Sequence, residues 1–204
     1  IVSCSKKEAC IDDTACNFDS SAEIDDGSCE YVAEYYDCDG NFAMVTVPAG
    51  DYTYGENDQT LTIDYDFEMM KYEVTNVQYL IYLEEALLSG DKTVNGNSVT
   101  GNYKGDENTG AGDQTFYNLG TPSSYNFAKI SYNGSNFQIN EPNGISDGEY
   151  DNHPVVYVSW YGANAFALHY AMKLPTEYEW EKTARGNIGA DYPWGENYGA
   201  AIND

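Results

Sequence analysis

No cysteine follows Cys38 in this 204-residue chain, and it contains only two histidines, His153 and His169. Chemistry that needs thiolates or paired imidazoles therefore has little to draw on beyond the N-terminal segment. Cations are also scarce. Nine Lys and Arg stand against 34 Asp and Glu, a net charge of −25, which excludes phosphate backbones and anionic lipid surfaces as electrostatic partners. No apolar stretch approaches the ~20 residues of a membrane span. His-Glu-x-x-His runs, nucleophile elbows and phosphate-binding glycine loops are missing too. Tyrosine, by contrast, is abundant at 20 residues, too many for a disordered acidic tail, so a packed and partly polar core is expected. The length suits one ordinary domain plus a small appendage. The acidic excess has two readings, solubility in an outside environment or binding of a hard cation through carboxylate oxygens.

All five cysteines lie in the first 38 residues. Ile1-Val2-Ser3-Cys4 reads as the end of a bacterial lipoprotein signal, with Cys4 the residue to be acylated and Ser5-Lys6-Lys7 the polar tether. Residues 1–9 are then a signal remnant and tether. The chain would sit at the bacterial outer membrane or cell surface, lipid-anchored, or be secreted, and would touch membrane only through that anchor. The alternative makes Cys4 a fifth framework cysteine or a free thiol. Setting it aside leaves Cys10, Cys16, Cys29 and Cys38, an even set that suits two disulfides in an oxidising compartment, with three pairings open.

Residues 10–41 form a separate acidic module whose few apolar side chains are Ile11, Phe18, Ile24 and Tyr31. So small a unit needs covalent or metal staples. Asp25 and Asp26 beside Gly27, and Asp37, Asp39 and Asn41 around Gly40, are candidate calcium ligands, because several oxygens converge on the ion at a sharp turn. Full EF-hand spacing is absent, and solvated acidic turns account for the same residues. The module resembles the Cys- and Asp-rich repeats of secreted marine Bacteroidetes proteins, which are similar to thrombospondin type 3 calcium repeats.

Further along, Leu61, Ile63, Tyr65, Phe67 and Met69 alternate with polar residues and predict one half-buried strand. Thr75 and Gln78 form a capping-box pair, followed by Val77, Leu80, Ile81, Leu83, Leu87 and Leu88 at helical spacing to about Leu88. Ser159 is the expected N-cap of another helix, in which Ala163, Phe166, Ala167 and Tyr170 share a face. Residues 89–152, rich in Gly, Asn, Asp and Ser, read as a variable insertion too long to be bare loop. Within it, 128–139 reads as a hairpin turning at Asn133-Gly134 in a type I′ turn, with Ala128, Ile130, Phe137 and Ile139 on one face. Asn133-Gly-Ser135 also matches a glycosylation sequon, a chance match in a bacterial lipoprotein.

Pro175 stops one segment, and Thr176 caps a helix running to about Arg185 with Glu179 at the capping-box position and Gly186 beyond its end. Glu177, Glu179 and Glu181 read as cap and helix-surface carboxylates rather than an acid/base pair. His153 and His169 read as hydrogen-bonded structural groups. Trp160, Trp180 and Trp194 are candidates for a sugar site, with core packing the plainer reading.

The wording of that segment goes further. Lys173-Leu-Pro-Thr-Glu-Tyr-Glu-Trp-Glu181, followed by Tyr192-Pro-Trp-Gly195, resembles the signature of the formylglycine-generating enzyme (sulfatase-modifying factor) family. Met44–Gly50 looks like that family's opening hairpin, Lys71–Tyr79 its Glu-Val-Thr-Asn helix start, and His153–Phe166 its central strand and helix. Lys173 stands where Arg is usual and Met172 where a small residue is usual. The resemblance covers about residues 43–204 and implies an α+β, irregular C-type-lectin-like fold over 42–204, here the N-terminal part of such a domain. It also implies structural calcium held partly by an Asn after the Trp-Gly turn. Asn203 would offer its side-chain oxygen and Asp204 its backbone carbonyl, the other ligands coming from residues this chain lacks.

The family's oxidation of a sulfatase cysteine to formylglycine runs on a copper-binding cysteine pair late in the domain. No such pair occurs here. The expectation is therefore a surface lipoprotein that is non-catalytic as it stands, with no catalytic or cofactor-binding residue, and a scaffold or binding role toward other surface or secreted proteins or itself. Copper would enter only if a further C-terminal part supplied cysteines. The alternatives are a fragment of a formylglycine-generating oxidase and an extracellular fibre or assembly subunit.

Overall fold

A computed structural model describes residues 6–31, 33, 35–106, 109–120, 128–141, 148–186, 189–193 and 195. Among the described residues the chain is mixed α/β, with short strands in five small sheets and three helices. Its contacts divide into two units, Ile1–Tyr72 with Glu179–Asp204, and Glu73–Tyr178.

The first unit opens with the acidic module. β1 (Glu8–Ala9) and β2 (Ile24–Asp25) pair in parallel. The connectivity left open by the spacing is Cys10–Cys29 and Cys16–Cys38, bridges whose loops interlock along the chain. In the chain-entropy view, loops of this size contribute about 3 kcal/mol each. They stand in for an apolar core: Ile11, Phe18, Ile24 and Tyr31 are all substantially exposed, and among the module's described residues only Cys10 and Ala15 are buried.

β3 (Met44–Val47) pairs with β6 (Phe67–Met70), and β4 (Gly50–Tyr54) with β5 (Gln59–Ile63), all antiparallel. The single strand expected over Leu61–Met69 is thus two strands that change partners across 64–66. The cause lies opposite, where Pro48 has no N–H to continue a ladder. Val47 faces Phe67 but Gly50 faces Ile63, so two residues on one side oppose three on the other. Asp66 closes the gap by accepting the Ala49 N–H at 2.7 Å. The helix α3 (Glu177–Arg185) belongs to this unit from Glu179 onward.

In the second unit, helix α1 (Asn76–Leu88) begins at the expected Thr75 with both halves of the capping box formed. Its inward face is not the aliphatic stripe. Tyr79, Tyr82, Leu83 and Ala86 are buried, whereas Ile81 and Leu88 are exposed, since the positions 79, 82, 83 and 86 follow the i, i+3, i+4, i+7 rule with aromatic bulk. Residues 150–155 fasten the start of α1: the N–H groups of Asn76 and Val77 donate to the carbonyls of His153 and Asp151, and Asn76 Nδ2 to that of Tyr150.

The insertion supplies β7 (Thr93–Asn95), β8 (Ser98–Tyr103) and β9 (Gly112–Asn118) as one antiparallel sheet, then β10 (Ile130–Tyr132) and β11 (Phe137–Ile139) as a hairpin. The hairpin pairs Tyr132 with Phe137, so its loop is the four residues 133–136 rather than a two-residue turn. The Asn133 side chain accounts for the longer loop, because its Oδ1 accepts the N–H groups of both Ser135 and Asn136. The face holds as expected for Ala128, Ile130 and Phe137, which are buried. Glu84 of α1 accepts the Phe137 N–H at 2.6 Å.

Helix α2 (Trp160–His169) starts at Ser159, whose hydroxyl accepts the Gly162 N–H. Its Phe166 stacks on Tyr79 at 5.7 Å and meets Tyr82 edge-on, while Tyr79 also touches Tyr117 of β9. Burial raises the Tyr79, Tyr82 and Tyr117 hydroxyls above the usual phenol value, that of Tyr117 to about 12, so the core phenols stay neutral.

Gly162 is where α2 touches β9. A Cβ there would stand 2.6 Å from the Tyr79 hydroxyl and closer still to the Phe116 carbonyl oxygen. Gly162→Ala should therefore lower stability by about 1–3 kcal/mol, seen as a lower denaturant midpoint. An unchanged midpoint would mean that the helix can lift from the strand at no cost.

Candidate functional site

Helix α3 carries the densest set of charged side chains, and it is inside out. Glu179 and Lys182 are each 1% exposed, whereas Tyr178 and Trp180 are 50% and 62% exposed. Spacing of i, i+3 puts Glu179 and Lys182 on one side of the helix. That side lies against the segment running from Pro48 through Gly55 to Asp58.

Lys182 Nζ donates to the carbonyls of Pro48 at 2.6 Å and Gly50 at 3.0 Å. The Pro48 carbonyl lies in the break between β3 and β4, and Gly50 is the first residue of β4. Glu179 accepts the Tyr65 hydroxyl at 3.1 Å. Glu181 accepts the Gly55 N–H at 2.7 Å and also pairs with Arg185. Arg185 spends all five donors: Nε on the Ala190 carbonyl, Nη1 on the Gly55 carbonyl and Glu181, Nη2 on Asp58 and the Gly189 carbonyl. Asp58 first, then Glu181, hold its pKa above the ordinary arginine value. Gly189 itself has φ 66°, and a side chain there would fall on Thr53.

The arrangement binds backbone to backbone. Lys182 and Arg185 spend their donors on main-chain carbonyls and on the carboxylates of Asp58 and Glu181. The expected surface role of Glu179 and Glu181 is corrected accordingly: Glu179 is buried and Glu181 largely so. The sequence held a signal for this. Residues 177–185 have no apolar stripe, so the face turned inward had to be polar.

The other candidate groups do not come together at this helix. His169 Nε2 sits 2.7 Å from Glu85 Oε2, tying α2 to α1. His153 contacts the Tyr150 ring edge-on and uses its carbonyl to cap α1. Trp160 is 51% exposed, stacked edge-on against Tyr103 and Tyr161. Neither Trp160 nor Trp180 is the core residue expected: Tyr and Phe already fill the interior of the second unit, to which Trp160 belongs, and Trp180 lies on the outer side of α3, opposite its buried ions. Trp194, Cys4, Asn203 and Asp204 lie outside the described residues.

Among the described residues no group of three or more His, Cys, Asp or Glu side chains is arranged to hold a metal. The module's aspartates close their own turns. Asp25 accepts the Gly27 N–H, Asp26 the Ser28 N–H, and Asp37 the N–H groups of Asp39 and Asn41. Asp39 and Asn41 are exposed in the same turn. Copper does not fit the residues present: it would need soft thiolates, and the four described cysteines are consumed in disulfides.

Short strands in small sheets, three helices and a helix of buried ions make the described residues a mixed α/β arrangement, consistent with the C-type-lectin-like fold that its family carries. The family model for the sulfatase-modifying factor enzyme 1-like domain matches residues 37–203, and the chain belongs to this family. It is 45% identical over 67 residues to the formylglycine-generating enzyme of Thermomonospora curvata, covering 32% of this chain and 22% of that enzyme. Against the formylglycine-generating enzyme of Mus musculus it is 29% identical over 170 residues, 74% of this chain and 42% of the enzyme. It is also 50% identical over 46 residues, 22% of this chain and 15% of the relative, to the inactive Cα-formylglycine-generating enzyme 2 of Bos taurus. The chain therefore spans less than half the length of these relatives. No helix among the described residues is long and apolar enough to cross a membrane.

Two predictions follow from this geometry. Lys182→Met keeps the aliphatic stem but leaves the Pro48 and Gly50 carbonyls without their donor, so stability should fall by roughly 2 kcal/mol or more; a midpoint equal to that of the parent would show the ammonium to be dispensable. The second concerns acid. Hydrogen bonds hold the carboxyls of Asp12 (from Tyr31, then Thr14), Asp19 (from Lys7, then Ser21), Asp26 (from Ser28) and Asp37 (from Asn41) below the usual carboxylate range. Their stabilisation is complete above the unfolded aspartate value of about 3.9 and is lost as pH falls through the lower folded values. The amide resonances of Thr14, Ser21, Ser28 and Asn41 should hold steady down to about pH 4 and shift below it. Shifts centred above that value would contradict the turn assignment.

Proposed function

We propose that this chain is part of a bacterial surface lipoprotein in which a formylglycine-generating-enzyme-like domain serves as a non-catalytic scaffold or binding unit. The disulfide-stapled acidic module is then the spacer between that domain and a lipid on Cys4. One observation carries the reading. All five cysteines precede residue 39 and four of them are bridged, so the family domain in this chain has no thiolate for oxygen chemistry. The ionised side chains of α3 are spent on backbone carbonyls and turns, which suits a framework more than a reaction centre. Disulfides favour an oxidising compartment, and the strong negative charge favours partners that are neutral or basic proteins.

A second reading rests on the comparisons. Similarity to the mouse formylglycine-generating enzyme runs through 74% of this chain, which favours an oxidase whose thiols come from polypeptide beyond the residues considered. One experiment separates the two. The full-length protein, with any polypeptide that follows these residues, is incubated with a peptide carrying a sulfatase cysteine motif, copper and oxygen, and the peptide is assayed for aldehyde. The scaffold reading expects the cysteine unchanged. Aldehyde above a protein-free control would overturn it in favour of the oxidase.

A further inference from the structure

The four-residue loop at the tip of the β10–β11 hairpin is closed by an asparagine side chain. Asn133 and its neighbours through Asn136 are exposed. The side-chain carbonyl of Asn133 accepts two main-chain N–H groups, from Ser135 and Asn136, both at 3.0 Å. Its amide nitrogen points to Gln138 Oε1 at 3.5 Å. The next residue is Gly134, with φ 99° and open space where a side chain would stand. The Gly134 N–H is engaged in none of the loop's hydrogen bonds, which run Asn133 N–H to the Asn136 carbonyl and from the two N–H groups just named.

These features match the needs of one reaction. A main-chain nitrogen can attack the side-chain amide carbon of the preceding asparagine, and the barrier falls when donors already sit about 2.7–3.1 Å from the oxygen on which negative charge develops. Glycine in the next position removes the steric block to that attack. We propose that Asn133 is a self-modifying site, converted by its own hairpin to aspartate and isoaspartate.

The chemistry needs only water. Gly134 N loses its proton to solvent and bonds to Asn133 Cγ, and the Ser135 and Asn136 N–H groups hold the resulting oxyanion. The side-chain nitrogen takes a proton and leaves as ammonia, giving a cyclic imide between residues 133 and 134. Water then opens the ring at either carbonyl. The net change is asparagine plus water to aspartate or isoaspartate plus ammonia. Opening toward isoaspartate lengthens the main chain at the hairpin tip. Either product adds a negative charge and removes the amide of the Asn133-Gly-Ser135 sequon.

A second Asn-Gly pair gives an internal reference. Asn95 ends β7 and is paired with Ser98 across the sheet, with Gly96 in the turn that follows. Its carbonyl has no such pair of main-chain donors. The folded protein is aged at mildly alkaline pH and body temperature, and peptides containing residues 95 and 133 are mapped by mass spectrometry with isoaspartate detection. A parallel sample is aged fully unfolded with its disulfides reduced. The proposal expects conversion at Asn133 several-fold faster than at Asn95 in the folded protein, and no slower than Asn133 in the unfolded chain. Ser135→Pro, which removes one of the two oxyanion donors, should slow Asn133 in the folded protein and leave Asn95 unchanged. Equal rates at the two sites, or an Asn133 that survives folded while it converts unfolded, would overturn the proposal by showing that the loop protects the residue.

Discussion

The contact on which the first unit depends is a lysine ammonium without a carboxylate. Lys182 comes off the inner side of α3 and ends between the carbonyls of Pro48 and Gly50. Proline interrupts the ladder at that point, and the ammonium supplies the donor that its carbonyl needs. A buried carbonyl left unpaired costs about 1–3 kcal/mol, a cost that the ammonium offsets. The neighbouring Glu181 and Arg185 repeat the logic at Gly55, Gly189 and Ala190. The helix that carries the family signature is therefore a device for closing irregular backbone. It lets a fold with few long strands keep its loops in place.

This explains why charge in the signature does not mean chemistry. Short strands and changes of sheet partner leave many backbone groups outside regular ladders. A polar helix packed on them satisfies those groups, and the apolar side chains of that helix are turned outward. The second unit solves the same problem differently. There α1 and α2 bury tyrosine and phenylalanine against β9, and backbone ends are met by caps from Thr75, Ser159 and the 150–155 segment.

Local signals were legible in the sequence wherever one short stretch decides the outcome. Thr75 with Gln78, Ser159 before α2, and the end of α1 at Leu88 are all set by residues within a few positions, and the structure places them as expected. Features that depend on a distant partner were not legible. The strand over Leu61–Met69 breaks because of Pro48, between β3 and β4 on the opposite side of the ladder. The loop after Tyr132 was legible as a turn but not in its length, which is set locally by the Asn133 side chain out-competing a two-residue turn. The sheet of β7, β8 and β9 is built from Thr, Asn and Gly with little alternation, so only pairing reveals it. Glu179 looked like surface because capping rules see a helix alone and not the segment it packs on. The disulfide module was legible in its cysteine count and in its need for covalent staples, but its connectivity was not.

Hydrogen exchange resolved by residue tests the central claim, that the ions of α3 hold irregular backbone in place. Arg185→Lys keeps the charge and removes the planar fork that reaches Gly55, Gly189 and Ala190. Exchange should quicken at residues 55–58 and 189–190 and stay at the parent rate in residues 73–106. Unchanged protection at 55–58, or an equal loss throughout the chain, would contradict the account.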